Sequence, residues 1–145
     1  MRQIRDVEED LLEEIEDNIN SELAEVDYTR SDSTPTPKQI TSGVDNGQYP
    51  AIFIDISGVE FEDATMNYET ENIRVKFTAE VVVVMKSSEQ TKLKQWISNY
   101  IEALTNILPN SVGIQTTISR IDVMELNNKT GGYGKAAGLV IEIIA

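Results

Sequence analysis

The sequence predicts an α+β domain in which a mainly antiparallel four-stranded sheet carries two helices on one face, in the order α-β-β-α-β-β. Two helical patterns are each followed by a pair of strand-like segments, and one of these segments, 79–85, reads AEVVVVM. With 145 residues and 40% hydrophobic content, the chain is long enough to bury a sizeable core. The chain is therefore predicted to form a single domain, 1–145.

The two helices are predicted from apolar residues that recur at spacings of three and four. The first helix is predicted over residues 4–26, which carry one apolar stripe along their whole length. The second has a broad apolar face from Leu93 to Leu108, and Pro109 ends it. Both helices thus have one face suited to packing on a sheet.

A polar linker, 28–49, follows the first helix and contains two prolines and two glycines. Unstructured connections of this length are uncommon inside compact domains. The linker is therefore predicted either to be disordered in the free protein or to be ordered by something else. The sheet and the second helix are assigned to residues 50–145.

The four strands are predicted from alternation of apolar and polar residues. The segment between the first two strands shows shifts in this alternation, which are typical of bulges. It is predicted to be either a long, bent hairpin with its tip near Asp63 and Ala64 or a flexible loop. The four strand segments are 50–57, 72–85, 113–126 and 136–145.

The run of valines raises the question of what covers the second face of the sheet. Successive strand side chains point to opposite faces, so Val81 and Val83 point away from Val82 and Val84. The helices cover one face only, and an exposed apolar patch on the other indicates a protein partner. A second copy of the chain is favoured as this partner. The predicted subunit interface comprises Val82, Val84, Val140 and Ile144.

Several classes of chemistry are disfavoured by composition. The chain has no cysteine and no histidine, so it lacks thiolates and imidazoles as nucleophiles, bases or metal ligands. The segment NNKTGGYGK lacks the spacing and context of a phosphate-binding loop, and a hairpin turn is favoured. No catalytic, cofactor-binding or metal-binding residue is predicted. An enzyme would have to use acids near the first hairpin, which are Asp55, Glu60, Glu62, Asp63, Glu69 and Glu71.

Charge also limits the possible partners. The net charge is -13, and eleven of the acidic residues lie in residues 1–27. Nucleic-acid binding needs clustered Lys and Arg, so specific DNA binding is not expected. The acidic helix is interpreted as a solvated face, with a monomeric adaptor that docks on a basic partner as the alternative. No apolar run is long enough to span a bilayer and no signal peptide is recognised, so the chain is predicted to be cytosolic without membrane contact.

Taken together, several segments resemble the tail terminator, or tail completion, proteins of long-tailed bacteriophages. These segments are the acidic first helix, GQYPAIFIDI, FTAEVVVVM, SSEQTKLKQWISNYIEALTNIL, ISRIDVMEL and GYGKAAGLVIEII. The resemblance implies a structural virion protein of the tail or neck, assembled in the host cytoplasm. Such a protein forms a hexameric ring that caps the tail tube and joins it to the head.

The resemblance also implies a set of partners. These are other copies of the chain, the tail tube protein and a connector or stopper protein on the head side, and DNA passes through without specific binding. The first hairpin and the Gly-rich turn are then expected to contact the tube or a neighbouring subunit. The residues predicted for these contacts are Phe61, Met66, Tyr68, Lys129, Tyr133 and Lys135.

Overall fold

A computed structural model describes residues 3–63, 73–126 and 132–145. These residues form two helices and five strands, which confirms the α+β class. The order is α1 (Ile4–Arg30), β1 (Gln39–Thr41), β2 (Ala51–Asp63), β3 (Ile73–Ser87), α2 (Gln90–Ile107), β4 (Gln115–Leu126) and β5 (Tyr133–Ile144).

The sheet is mixed and has five strands in the order β1-β2-β3-β5-β4. β1 runs parallel to β2, and the other neighbouring strands are antiparallel. The prediction of a mainly antiparallel four-stranded sheet is therefore wrong in its strand count, because the sheet is mixed and has β1 as a fifth, parallel strand, while its other three pairings are antiparallel. β1 has only three residues and lies in the polar linker, so it is too short to show a period-two pattern.

One core joins both helices to one face of the sheet. α1 packs on β2 and α2, while α2 packs on β3 and β5. Full burial of each large apolar side chain stabilises the fold by about 1.5–3 kcal/mol relative to its exposure. On the central strand, the buried residues alternate: Val75, Phe77, Ala79, Val81, Val83 and Met85.

The first hairpin is ordered along both strands. β2 and β3 pair from Ala51 opposite Val84 to Asp63 opposite Ile73, with a register shift after Ile56. Up to residue 63, the structure thus shows the predicted bent hairpin and not the flexible loop. Ala64, at the predicted tip, lies outside the described residues.

The linker after α1 is held against α2 by hydrogen bonds. The buried side chain of Asn99 donates to the Thr34 hydroxyl at 2.9 Å and to the Asp32 carboxylate at 3.0 Å. The Tyr100 hydroxyl donates to the Pro35 carbonyl at 2.7 Å. Burial raises the pKa of Tyr100, so its hydroxyl keeps its proton. Since these partners belong to the same chain, α2 itself orders the start of the linker.

We expect the substitution Asn99→Ala to lower the free energy of unfolding by about 1–3 kcal/mol, because it removes two hydrogen bonds, one of them to the buried Thr34 hydroxyl. Amide-exchange protection of residues 32–34 should fall at the same time. Ser98→Ala, at an exposed neighbouring position of α2, is the matched control and should leave both quantities unchanged. Unchanged protection in the Asn99 variant would show that α2 does not order the linker.

Candidate functional site on the open face of the sheet

The sheet face opposite the helices, here called the open face, is divided into a polar and an apolar half. Along β3, Lys76, Thr78 and Glu80 come first, and Val82 and Val84 follow. The neighbouring strands repeat this division in part, since on β5 Ile144 pairs with Lys76 and Val140 pairs with Glu80. Thr78 lies between Gly58 and Glu142, whereas Val84 lies between Ala51 and Ala136. The apolar half is thus built from several strands.

Three of the four residues predicted for the subunit interface lie close together, two in this apolar half and Val140 at its boundary, opposite Glu80. Val82 and Val84 are neighbours on β3, and Val82 pairs with Gly138, two positions before Val140. Side chains in such diagonal positions are about 7–8 Å apart. Ile144 instead pairs with Lys76 in the polar half. All four side chains are half-buried.

Two further residues, which the sequence reasoning missed, extend this surface. Phe53 pairs with Val82, and Met124 pairs with Ala136 beside Val84. The Met124 side chain is 54% exposed. Alternation with Ile52 and Ile54 could have placed Phe53 on the open face, but Met124 could be placed only from the pairing of β4 with β5. The apolar patch is defined by Phe53, Val82, Val84, Met124 and Val140.

An acidic side chain lies against the apolar patch. A Cβ atom on Gly138 would stand only 2.8 Å from Oε1 of Glu80, so the carboxylate occupies the space that a side chain at this position would fill. Glu80 pairs directly with Val140, and Gly138 pairs with Val82. A partner that covers the patch must therefore offer a cation or hydrogen-bond donors to Glu80, because burial of an unpaired carboxylate is costly.

A small polar cluster bounds the patch where β3 ends. Nζ of Lys86 lies 4.4 Å from the ring centroid of Tyr49, in a cation–π contact. The Tyr49 hydroxyl donates to Oδ2 of Asp45 at 2.6 Å. This hydrogen bond is the main reason that the pKa of Asp45 is lowered, and the hydrogen bond from the Gly47 amide is the next. The bond between Tyr49 and Asp45 also raises the pKa of Tyr49. The cluster fixes the end of the linker beside the apolar half.

Of the residues predicted to contact the tube or a neighbour, those that the structure describes lie at opposite ends of the sheet. Phe61, which is 64% exposed, pairs with Val75, whereas Tyr133 pairs with Ser87. These two positions on β3 are twelve residues apart, which corresponds to roughly 40 Å of strand. Lys135 is half-buried near Tyr133. Met66, Tyr68 and Lys129 lie outside the described residues.

Among the residues that the structure describes, the acids considered for an enzyme do not form a cluster. Asp55 and Glu60 lie on the open face of β2, with Gly58 between them on that face. The side chains of Glu62 and Asp63, and residues Glu69 and Glu71, lie outside the described part. Within residues 3–63, 73–126 and 132–145, no group of three or more acidic residues is placed to hold a metal ion.

Neither α1 nor α2 combines the length and apolar character needed to cross a membrane, as far as the described residues extend. Comparison of the sequence with protein-family models and with curated proteins finds no match. The function must therefore be inferred from the surfaces of the chain itself. On the open face, the apolar patch is the feature that most directly indicates a partner.

Proposed function

We propose that this chain is a structural protein of a long-tailed bacteriophage, a tail terminator, which assembles into a ring that caps the tail tube and joins it to the head. The observation that carries this proposal is the apolar patch. Its five residues come from β2, β3, β4 and β5, on the face that no helix covers. Such a surface is suited to burial against protein.

The shape of the patch favours a flat protein partner over a small molecule. Ala51 and Ala136 flank Val84, and Gly138 flanks Val82. Phe53 flanks Val82 on its other side, so large and small side chains lie side by side on a regular sheet surface, whereas sites for small molecules are concave. In the proposed ring, the patch is covered by another copy of the chain, with six copies in the closed assembly.

The resemblance to tail terminators supports the choice of assembly. It rests on an acidic helix, a long hairpin, a second helix and a final pair of strands, and α1, β2–β3, α2 and β4–β5 follow this order. The proposed partners are the tail tube protein and a head-side connector or stopper protein. The site of action is the tail or neck of the virion.

The charge of the chain is compatible with a passage for DNA. An acidic wall repels phosphates over about a Debye length, roughly 8 Å at physiological ionic strength. The net charge of -13 suits a ring through which DNA passes without specific binding. Other acidic proteins share this property, so charge adds compatibility but does not select this function.

Electron microscopy of the purified protein with and without tail tubes tests the proposal directly. We expect rings, either free at high concentration or at the ends of tubes. A protein that stays monomeric and leaves tube ends bare would contradict the proposal.

We expect Val82→Asp to weaken self-association at least about a hundredfold while the circular dichroism of the monomer is retained, because desolvation of an unpaired carboxylate costs several kcal/mol. Analytical ultracentrifugation over a concentration series measures the effect. Thr78→Asp introduces the same charge on the same strand and face, in the polar half, and should change association much less. If the Val82 variant unfolds while the Thr78 variant stays folded, Val82 belongs to the intramolecular core.

A monomeric adaptor remains the second candidate because of the outer face of α1. Glu9, Glu13 and Glu16 are exposed on this helix, whereas its buried stripe faces the core. A basic partner could bind such a face through charge alone. In the ring proposal these side chains are simply solvated.

We expect simultaneous replacement of Glu9, Glu13 and Glu16 by Gln to leave folding and ring assembly intact, since like charges at helical spacing repel one another. Thermal unfolding and electron microscopy measure the two properties. If ring assembly or tube docking is lost while the fold is retained, α1 is instead an acidic docking helix.

A further inference from the structure

The edge strand β4 extends beyond the helix layer. Ile121 and Val123 pair with Leu139 and Ala137, which are fully buried on the helix side of the sheet. Yet Ile121 is 39% exposed and Val123 is 50% exposed. The difference arises because α2 packs on β3 and β5, whereas β4 is the next strand outward. The helix-side face of β4 is thus uncovered and apolar at Ile121 and Val123, whereas Ile118 on the same face packs on the core.

The backbone of β4 is open along the same edge. β4 pairs with β5 over its length, and no other strand among the described residues pairs with it. Long edge strands with exposed apolar side chains readily add another strand. Proteins that avoid such pairing shorten, bend or cover their edges, and β4 itself has a register shift between Ile118 and Arg120, after which its pairing is regular to Leu126.

The opposite edge of the same sheet is also only partly covered. β1 pairs with residues 51–53 of β2, so within the described residues the outer edge of β2 has no strand partner from Ile54 to Asp63. On the helix side of this open stretch lie Val59, which is half-buried, and Phe61, which is 64% exposed. Ile4, at the start of α1, lines a groove together with Val59 and Phe61. Its side chain is 49% exposed.

We infer that the outer edge of β4 adds to the open edge of β2 in a second copy of this chain. β4 runs antiparallel to β2, because β3 and β5 lie between them and each pairing is antiparallel. A copy placed edge to edge with its helices on the same side therefore presents an antiparallel strand. The two edges differ, so the contact is heterologous and can continue from copy to copy until a ring closes.

The side chains on both faces suit this pairing. On the helix side, Ile121 and Val123 of one copy extend the apolar stripe of Val59 and Phe61 in the next. On the open face, β2 presents Asp55 and Glu60, whereas β4 presents Arg120 together with Asp122. Arg120 contacts Asp122 at 2.7 Å, and its side chain is 70% exposed, so it is accessible to a second carboxylate. Opposite charges on neighbouring strands favour pairing.

A two-fold contact between two β4 strands is the main competing arrangement. It would bury Ile121 and Val123 against their own copies, but it would stop at two chains. The open edge of β2 and the side chain of Phe61 would stay exposed in such a dimer. The head-to-tail contact covers both edges with a single type of interface.

Cysteine cross-linking can distinguish these contacts cleanly because the chain has no native cysteine. One preparation carries Val123→Cys and the other Phe61→Cys, and a flexible bifunctional maleimide is added at concentrations where the unmodified protein associates. We expect a covalent dimer when the two preparations are mixed and little when either is alone. A chain with both substitutions should give a ladder of multimers.

The control is Tyr28→Cys, on the helix layer, where the native side chain is 90% exposed. It should react with the reagent but should not cross-link to either variant. Cross-linking of Val123→Cys with itself would overturn the inference in favour of the two-fold contact. Absence of cross-links in every mixture, or a chain that is monomeric throughout, would overturn it as well.

The inference adds an edge contact to the contact through the apolar patch in the proposed ring and so rests on that function for its setting, but the two can fail separately. Rings in the electron microscope without cross-links between the two preparations would refute the edge contact and retain the ring. Mixed cross-links from a protein that neither closes into rings nor binds tubes would retain the edge contact and refute the tail function.

Discussion

Pairing of β3 along both of its edges is the constraint on which the rest of the structure depends. From Lys76 to Val84, its backbone is bonded to β2 on one side and β5 on the other. Its side chains can then point only toward the helices or away from them. The helix side is apolar and is covered by α1 and α2. The residues between these buried positions of β3 point to the other side. Val82 and Val84 must therefore face away from the core.

Backbone pairing brings apolar residues from several strands together on the open face. Phe53, Val140 and Met124 come from three different strands, and β3 brings them around its valines. Glu80 adds a carboxylate where Gly138 leaves room for it. An apolar surface with one fixed charge can discriminate between partners, because only a partner with a matching donor avoids the cost of desolvation.

The two edges of the sheet differ for a physical reason. β1 is too short to cover β2, and α2 lies too far inward to cover β4. Within the described residues, each edge therefore retains unpaired backbone together with exposed apolar side chains on the helix side. The edges and the open face are different surfaces of the sheet, so both can be occupied in one assembly. A subunit with two different edges is suited to repeated head-to-tail contact.

The sequence by itself determined the two helices, the apolar stripes and the alternation along β2 and β3, because these periodicities belong to single segments. Only the tertiary structure decided that β1 joins the sheet, that β5 inserts between β3 and β4, and that Ile144 lies apart from Val82. It also decided that Ile121 and Val123 stay uncovered. Strand order and register join residues far apart in the chain, and a period-two pattern is satisfied equally well by several such pairings.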